Sequence, residues 1–359
     1  MSDDLRLSEY RPRPMLRVAE HRIERPRFPV IDMHNHSQWG GPWQVSDVPA
    51  LVDELDAAGV AAMVDLDGGN GERLREHLAR FREPYPDRFV VFTTCDWDRH
   101  LGFPDVGERL AEDLRRAATA GAEGLKIWKD VGLTRRDGNG RLVRLDDERL
   151  SPLFATAGEL GLPVLIHTAD PMAFFEPLDA ANERYEELVR HPDWHFYGAD
   201  FPPFDALLDQ FEAMVSQHPG TRFIGAHVAS LAEDLDRVGR MLDRCPNLTV
   251  DIAARTAELG RQPYTARRFL TDYAGRVVFG LDDWPAKARE YRVVYRLLET
   301  QDEYFPYTGD PEAAPGAQGR WRIYGLGLSE EPLRQLYYGA ALALVPRLAP
   351  VVDARQTGR

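Results

Sequence analysis

The sequence is poor in cysteine and has no long apolar run. It contains two cysteines, Cys95 and Cys245, among 359 residues, which is too few for a disulfide framework. No stretch approaches the roughly 18 apolar residues that a membrane-spanning helix needs. The first residues, MSDDLRLSEYRPRP, contain early acids and no apolar signal core. We therefore expect a cytoplasmic protein without a membrane partner.

Positive charge is also in short supply. Lys and Arg number 44 against 58 Asp and Glu, which gives a formal net charge of −14. A chain of this charge is not expected to bind nucleic acid or an anionic membrane. An acidic substrate stays possible, because a bound metal ion can reverse the local potential. Arginines and prolines gather in residues 1–28, which we interpret as an extended arm that wraps its own chain or a neighbouring subunit.

Motifs of two other classes are missing. The first apolar run is not followed by the Gly-rich phosphate turn of a doubly wound sheet, which disfavours that fold. There is no G-x-S-x-G elbow, and neither cysteine has an evident histidine partner. These absences exclude a serine or cysteine hydrolase.

Short apolar runs alternate with amphipathic helical stretches along most of the chain. The eight runs cover residues 29–34, 60–67, 89–96, 122–128, 163–167, 222–227, 247–252 and 276–282. Near-continuous apolar runs are typical of parallel strands covered on both faces. Their alternation with helices predicts an α/β fold, a (β/α)8 TIM barrel. Residues 29–348 would form this domain, between the arm and a C-terminal tail at 349–359.

Two long insertions follow predicted strands. Residues 129–146 contain the hairpin-turn signal DGNG at 137–140, and residues 168–202 are rich in Phe, Tyr and Trp. Loops that follow strands lie on the C-terminal face of a barrel, where active sites are found. We expect both insertions to form pocket walls, and a final helix over 329–348 to dock on the barrel.

Five side chains suited to metal binding or acid–base chemistry stand at the ends of the runs. His34 and His36 end the first run, and their spacing points both side chains to the same side of a strand. His167, His227 and Asp282 end the fifth, sixth and eighth runs. A lone histidine is most often a hydrogen-bonded core or loop residue. Five such groups at equivalent positions of a repeating unit predict a metal centre for a borderline ion such as Zn²⁺.

The order of these motifs resembles the amidohydrolase superfamily, specifically its branch similar to aminocarboxymuconate-semialdehyde decarboxylase. The residues that carry the resemblance are Asp32-x-His34-x-His36, His167 in VLIHTADP, His227 in IGAHVA and Asp282 in VFGLDD. That branch contains both metal-dependent hydrolases and non-oxidative decarboxylases.

The resemblance implies a role for each matching residue. His34, His36 and His167 would bind a single divalent metal, usually zinc, with Mn²⁺, Fe²⁺ and Co²⁺ as alternatives. Asp282 would be a further ligand or the base that receives a proton from the metal-bound water. His227 would act beside the metal as an acid/base or carbonyl-polarising group.

Two positions complicate the match. The family often has Gly-Thr-Asp or Gly-Ser-Asp at the eighth strand, whereas this chain has Leu281 before Asp282 and a second acid, Asp283, after it. We favour Asp282 because it keeps the family's register. Lys126 shares one strand face with Trp128 and could bridge two metals, as a carboxylated lysine does in two-metal members. We favour instead a charged hydrogen bond near the metal or a contact with an anionic substrate.

Other residues are candidates for substrate recognition. Arg255, just past the seventh run, suits bidentate capture of a carboxylate, and a salt bridge to Asp251 is an equally good interpretation. We place Arg255, Lys126 and Trp128 in the substrate site.

Aromatic and acidic residues near the strand ends leave alternatives open. Trp39 and Trp43 could form an aromatic wall or cover the barrel rim. The acids Asp65, Asp67 and Asp96 are expected to cap the turns or helices that follow their strands.

The favoured function is hydrolysis of a small amide, ester or lactone by metal-activated water, with Asp282 and His227 moving protons. The alternative is a non-oxidative decarboxylase that acts on a small carboxylated substrate with the same metal site. A non-catalytic barrel that keeps a metal site is disfavoured by the full set of five groups. We also expect a homodimer, the commonest symmetric assembly.

Overall fold

The strands of the barrel follow the predicted runs. The structure, a computed structural model, describes residues 5–6, 9–10, 12–37, 45–309 and 318–357. The strands are β1 (Val30–Asn35), β2 (Val60–Asp65), β3 (Phe89–Thr94), β4 (Gly124–Ile127), β5 (Val164–Ile166), β6 (Phe223–Gly225), β7 (Leu248–Asp251) and β8 (Val277–Val278). They pair in sequence order, and every pair is parallel.

Two hydrogen bonds join the last strand region to the first. The N–H of Met33 donates to the carbonyl of Phe279 at 2.9 Å, and the N–H of Asp282 donates to the carbonyl of His34 at 2.9 Å. The sheet is therefore a nearly closed barrel, and the predicted (β/α)8 fold is confirmed.

One long helix follows each strand and covers the outside of the barrel. These helices are α1 (Val48–Ala58), α2 (Gly71–His77), α3 (Val106–Ala120), α4 (Ser151–Glu159), α5 (Phe204–Gln217), α6 (Leu235–Arg244), α7 (Pro263–Asp272) and α8 (Ala288–Glu299). The Asp47 side chain caps α1 by accepting from the N–H of Ala50 at 2.9 Å. Gly59 and Gly121 end α1 and α3 in the left-handed conformation, with φ of 75° and 114°.

Shorter helical segments fill the loops and the C-terminus. The short α-helices are Trp97–His100, Asp130–Leu133, Tyr185–Arg190, Thr256–Arg261, Glu330–Arg334, Ala340–Leu344 and Ala349–Thr357. Single turns of 3-10 helix are Glu148–Leu150, Met172–Phe175, Pro192–Trp194 and Pro346–Leu348. Single turns of π-helix are Leu78–Arg82 and Gln335–Gly339. No helix in the described part of the chain is long and apolar enough to cross a membrane.

Side chains alternate between the barrel interior and the helix layer. Ile31 and Met33 of β1 belong to a buried interior cluster, whereas Val30 belongs to the cluster between strands and helices. The C-terminal segments add Leu344 and Val352 to the interior cluster. The C-terminal residues thus pack against the barrel interior, both in the predicted final helix and in the tail segment, which is helical over Ala349–Thr357.

The N-terminal arm has no helix or strand within its described residues, and it contacts its own barrel. The backbone N–H of His21 donates to Asp302 at 2.7 Å, and that of Arg27 donates to Glu299 at 2.9 Å. Most side chains over residues 12–25 are exposed, and Met15 is 90% exposed. The homodimer stays a prediction.

Candidate metal centre

Three histidines and one aspartate converge at the C-terminal ends of the strands. Nε2 of His36 lies 3.3 Å from Oδ1 of Asp282, and Nε2 of His34 lies 3.9 Å from the same oxygen. Nε2 of His227 lies 3.8 Å from Oδ2 of Asp282. One ligand atom each from His34, His227 and Asp282 can be chosen so that all lie within 4.8 Å of one another. Ligand atoms about 2.0–2.1 Å from a shared zinc ion lie at most about 4.2 Å apart, so these side chains would move slightly closer together to bind one ion.

The outer ring nitrogens, Nδ1, of these histidines are hydrogen-bonded to acceptors. Nδ1 of His34 lies 2.8 Å from Oδ2 of Asp251, and Nδ1 of His36 lies 2.9 Å from Oδ1 of Asp67. A carboxylate only accepts, so each imidazole donates from Nδ1. The inward Nε2 of a neutral ring then carries the lone pair that a metal needs.

The third imidazole has the same arrangement. Nδ1 of His227 lies 2.9 Å from the carbonyl oxygen of Ala253, so this ring also donates outward. Burial, together with nearby His167 and Arg255, holds the pKa of His227 well below its usual value. His227 is therefore neutral, with Nε2 available beside Asp282.

His167 completes the histidine cluster from the end of β5. Its ring centroid lies 4.5 Å from that of His227. Its buried Nε2 has no hydrogen-bond partner, although Asp170 Oδ1 lies 3.4 Å away. Burial lowers the pKa of His167 to about 4, against the opposing effect of Asp170, so the ring is neutral near pH 7. A buried ring nitrogen without a hydrogen-bond partner suits a metal ligand.

This donor set fits a divalent cation. Burial raises the pKa of Asp282, but the imidazoles of His34, His36 and His227 outweigh burial and hold it well below its usual range. Burial lowers the pKa of His36, but hydrogen bonding to Asp282 and Asp67 outweighs it and raises the pKa to about 9. Without a metal, a proton on His36 thus neutralises Asp282. A cation among these atoms would take the place of that proton.

The second acid, Asp283, faces a different space. It lies with Glu290 on a side cavity of about 230 Å³ that meets the main cavity at Asp282. Burial and the neighbouring carboxylates raise the pKa of Asp283 to about 6. Since Asp282 is the acid that faces the imidazoles, the geometry supports the choice of Asp282 over Asp283.

Asp32 ties the first strand to the loop after the eighth. Its Oδ1 accepts from the N–H groups of His34 at 3.1 Å and Leu281 at 3.2 Å. Its Oδ2 accepts from the hydroxyl of Tyr291 at 2.6 Å and the amide of Asn35 at 2.9 Å. Leu281, which lacks the hydroxyl of the family pattern, thus contributes its backbone N–H to this network. Asp32 acts on the site by fixing backbone, not by facing the metal position.

His227 is carried by a turn that the sequence did not reveal. Residues 227–230 have φ between 52° and 61°, which is the left-handed region, and none of them is glycine. Oδ1 of Asp251 accepts from the N–H of His227 at 2.8 Å, and the N–H of Ser230 donates to the carbonyl of Ala226 at 2.9 Å. Strained backbone of this kind is retained where surrounding contacts hold it, and it clusters at functional sites.

Lys126 is buried near the carboxylates of the site, although it does not line the cavity described below. Its side chain is 1% exposed, its Nζ has no hydrogen-bond partner, and it lies 4.9 Å from the ring of Trp128. That ring in turn stacks on His36, with centroids 5.3 Å apart. Burial lowers the pKa of Lys126 to about 8, against the opposing effect of nearby carboxylates.

A cavity of about 780 Å³ opens above the site and is lined there by Trp128, His167, His227 and Asp282. The insertion after β4 contributes Thr134 and Arg135, and the insertion after β5 contributes Phe174 and Trp194. Both predicted pocket walls are confirmed. The cavity also has an aromatic lining of Trp97, Trp128, Phe174, Trp194 and Phe196. Trp39 and Trp43 lie outside the described residues.

Arg255 lines this cavity and forms no ion pair with Asp251. Its guanidinium donates to its own neighbour, the carbonyl of Ala254, at 2.9 Å. Asp251 is engaged by His34, His227 and the N–H of Ala253 at 3.1 Å. The salt-bridge interpretation of Arg255 is therefore wrong.

The carboxylates that orient the histidines were missed in the sequence. Asp67 was expected to cap a turn, and it accepts from the N–H of Ser37 at 2.9 Å as well as orienting His36. Asp65 accepts from the N–H of Asp67 at 3.1 Å and lies 2.7 Å from Nε2 of His77. Asp96 is the helix cap that was expected. A signal was present, since an acid such as Asp67, two residues past the end of β2, can either cap a turn or orient a histidine.

The comparisons with known proteins show the family and the fold of the chain. The profile of the amidohydrolase family matches residues 31–347. No curated protein matches the sequence. Among solved structures, 2,6-dihydroxybenzoate decarboxylase from Rhizobium is 14% identical with a TM-score of 0.57, over 89% of this chain and 99% of that one.

Two further solved structures are similar. Dihydroxybenzoic acid decarboxylase from Polaromonas sp. JS666, with bound manganese and the inhibitor 2-nitroresorcinol, is 14% identical with a TM-score of 0.56, over 89% of this chain and 97% of that one. 5-Carboxyvanillate decarboxylase from Sphingomonas paucimobilis is 13% identical with a TM-score of 0.53, over 88% of this chain and 98% of that one. At this identity the likeness shows a shared fold.

Proposed function

We propose that this chain, which belongs to the amidohydrolase family, is a divalent-metal enzyme that decarboxylates a small aromatic carboxylic acid. The observation that carries the proposal is the convergence of three inward Nε2 atoms on Asp282 at the floor of an aromatic-lined cavity. The names of the similar structures favour decarboxylation over the hydrolysis that the sequence favoured.

His34, His36, His167 and Asp282 would hold the metal, as the sequence predicts. Zinc suits imidazole and carboxylate ligands, and manganese is bound in one of the similar structures. A divalent cation here supplies Lewis-acid stabilisation for negative charge that develops on a substrate oxygen. Asp67 and Asp251 contribute by fixing the rings of His36 and His34.

The protein must deliver a proton to carbon. When the bond to the carboxylate breaks, its electron pair stays on the ring carbon, CO₂ leaves, and a proton forms the new C–H bond. Nε2 of His227 and Oδ2 of Asp282 face each other 3.8 Å apart at the cavity floor, and a proton taken up there from solvent would form the new C–H bond. The buried amine of Lys126, which has no hydrogen-bond partner, lies where it can favour a negatively charged substrate.

Hydrolysis uses the same residues and is the second candidate. The proton-transfer pair of Asp282 and His227 suits attack by water on an amide, ester or lactone as well. A reaction that releases CO₂ and one that consumes water differ in products, so one panel of substrates separates them.

The test is a paired screen of protein loaded with Mn²⁺ or Zn²⁺. Hydroxybenzoates and carboxylated methoxyphenols are assayed for CO₂ release, while amides, esters and lactones are assayed for hydrolysis. We expect metal-dependent CO₂ release that falls by at least ~100-fold in Asp282→Asn. Asp236→Asn, an exposed acid on α6 with its side chain 70% exposed, is the matched control and should keep full activity. Hydrolysis without any CO₂ release would replace the proposal by the second candidate.

A further inference from the structure

The basic side chains that line the main cavity are almost all neutralised by ion pairs. The pairs are Lys129 with Asp170, Arg135 with Asp98 and Asp130, and Arg184 with Glu187 and Glu258. Each of these cations therefore has its charge compensated by the protein itself. They form cavity walls and offer little attraction to an anion.

Arg255 is the exception among the cavity's described residues. It is 5% exposed, and no carboxylate in the described part of the chain lies within ion-pair distance of it. Its Nε is buried without a hydrogen-bond partner, and one of its terminal nitrogens donates to the carbonyl of Ala254. Glu187 and Glu233 feel the charge of Arg255 only from beyond ion-pair distance. A buried cation without a directly paired carboxylate is costly, so the position is best explained by an anion that arrives with the ligand.

The acids around Arg255 do not form an ion pair with its guanidinium. Glu187 is held by Arg184 at 2.7 Å. Glu233 accepts from the N–H of Met172 at 3.1 Å, and burial raises its pKa although the charge of Arg255 opposes this, so Glu233 is a weak counter-ion beyond ion-pair distance. Asp251 is engaged by His34 and by two backbone N–H groups. The guanidinium of Arg255 thus keeps donors for a ligand.

We propose that Arg255 binds a second anionic group of the substrate, a carboxylate separate from the group that reacts at the metal centre. This rests on the proposed function for the reacting group, and it narrows the substrate class to aromatic diacids. The planar guanidinium fork matches a carboxylate with two parallel hydrogen bonds. The aromatic walls, which include Trp128 and Phe174, suit a ring between the two anionic ends.

The test measures binding, without turnover. Benzoate, phthalate, isophthalate and terephthalate are titrated into the Mn²⁺-loaded protein by calorimetry. Because a charge-assisted pair contributes substantially to affinity, at least one diacid should bind about 10-fold tighter than benzoate or better. Arg255→Gln should bring that diacid to within about twofold of benzoate, since a 10-fold change in affinity, about 1.4 kcal/mol, is the size of one charge-assisted hydrogen bond.

A second cavity arginine provides the matched control. Arg135 also lines the cavity but is paired with Asp98 and Asp130, so Arg135→Gln should keep the preference for the diacid. Arg255→Lys should keep part of it, because the charge stays and the fork is lost. If Arg255→Gln does not fold, the affinities of the wild type and of Arg255→Lys for benzoate and the diacids still test whether Arg255 binds the second carboxylate.

Three results would overturn the inference. They are equal affinity of the wild type for benzoate and all three diacids, a diacid preference that survives in Arg255→Gln, and an equal loss of preference in Arg135→Gln. These outcomes are separate from the test of the reaction. A diacid preference that depends on Arg255, in a protein that releases no CO₂ from any acid, would sink the proposed reaction and leave the anion subsite standing.

Discussion

Replacing Asp251 by asparagine should separate metal binding from folding. Oδ1 of Asp251 accepts from the backbone N–H groups of His227 and Ala253, and Oδ2 faces Nδ1 of His34. An asparagine that keeps its oxygen in the Oδ1 position satisfies both backbone donors. Its amide NH₂ then points at His34 and donates, so Nδ1 must become the acceptor. The ring proton moves to Nε2, which no longer has a lone pair for a metal.

The expected magnitudes follow from these contacts. Disrupting the partner of a metal-binding histidine typically costs about 10–100-fold in metal affinity. Asp251→Asn should therefore weaken Zn²⁺ and Mn²⁺ binding by that amount, while the free energy of unfolding of the metal-free protein falls by no more than about 1 kcal/mol. Asp251→Ala removes the acceptor of two buried N–H groups and should lower the free energy of unfolding by about 2–6 kcal/mol.

The assay combines chelator competition for metal affinity with urea denaturation of the metal-free protein. Asp236→Asn, whose carboxylate is exposed and pairs with Arg268 at 3.3 Å, should change neither quantity. The reasoning fails if Asp251→Asn binds metal like the wild type. It also fails if Asp251→Asn is as unstable as Asp251→Ala, because the backbone contacts would then not be the part that asparagine preserves.

Two further predictions concern stability. Burial lowers the pKa of Lys126 to about 8 from its ordinary 10.5, so the folded protein releases this proton before the unfolded chain does. The metal-free wild type should gain on the order of 2–3 kcal/mol in unfolding free energy between pH 8 and pH 10.5, relative to Lys126→Met, and urea titrations that show parallel pH profiles would contradict this. Ala226→Gly and Ala229→Gly each remove one buried methyl group. Of the two residues, only Ala229 has a left-handed backbone conformation, with φ of 52°. Relief of strain should make Ala229→Gly about 1–2 kcal/mol less destabilising than Ala226→Gly, and equal losses on thermal denaturation would be inconsistent with that strain.

The sequence predicted the barrel and the positions of the site because both depend on periodic patterns. Each strand lies within its predicted apolar run except β1, which extends one residue further to Asn35. In the eighth run, 276–282, only Val277–Val278 form a strand, which pairs with β7, whereas Phe279 and Asp282 each share one backbone hydrogen bond with β1. Apolar patterning alone does not reveal where a strand stops pairing.

Other parts of the site could not be found from single residues. The left-handed turn at 227–230 contains no glycine, so the usual signal of positive φ is missing. The roles of Asp67 and Asp251 depend on neighbours distant along the chain, since His34 and Asp251 are 217 positions apart. An acid at a strand end suits a turn cap or an ion pair equally well until the histidine beside it is located.

The most direct test of the central claim is the metal content of the purified protein by inductively coupled plasma mass spectrometry, in the wild type and in His167→Ala. The buried Nε2 of His167, which has no hydrogen-bond partner, is expected to bind the metal. We predict about one divalent ion per chain in the wild type and a large loss in the variant. No metal in the wild type, even after reconstitution with Zn²⁺ and Mn²⁺, would contradict the account, and so would an undiminished metal content in His167→Ala.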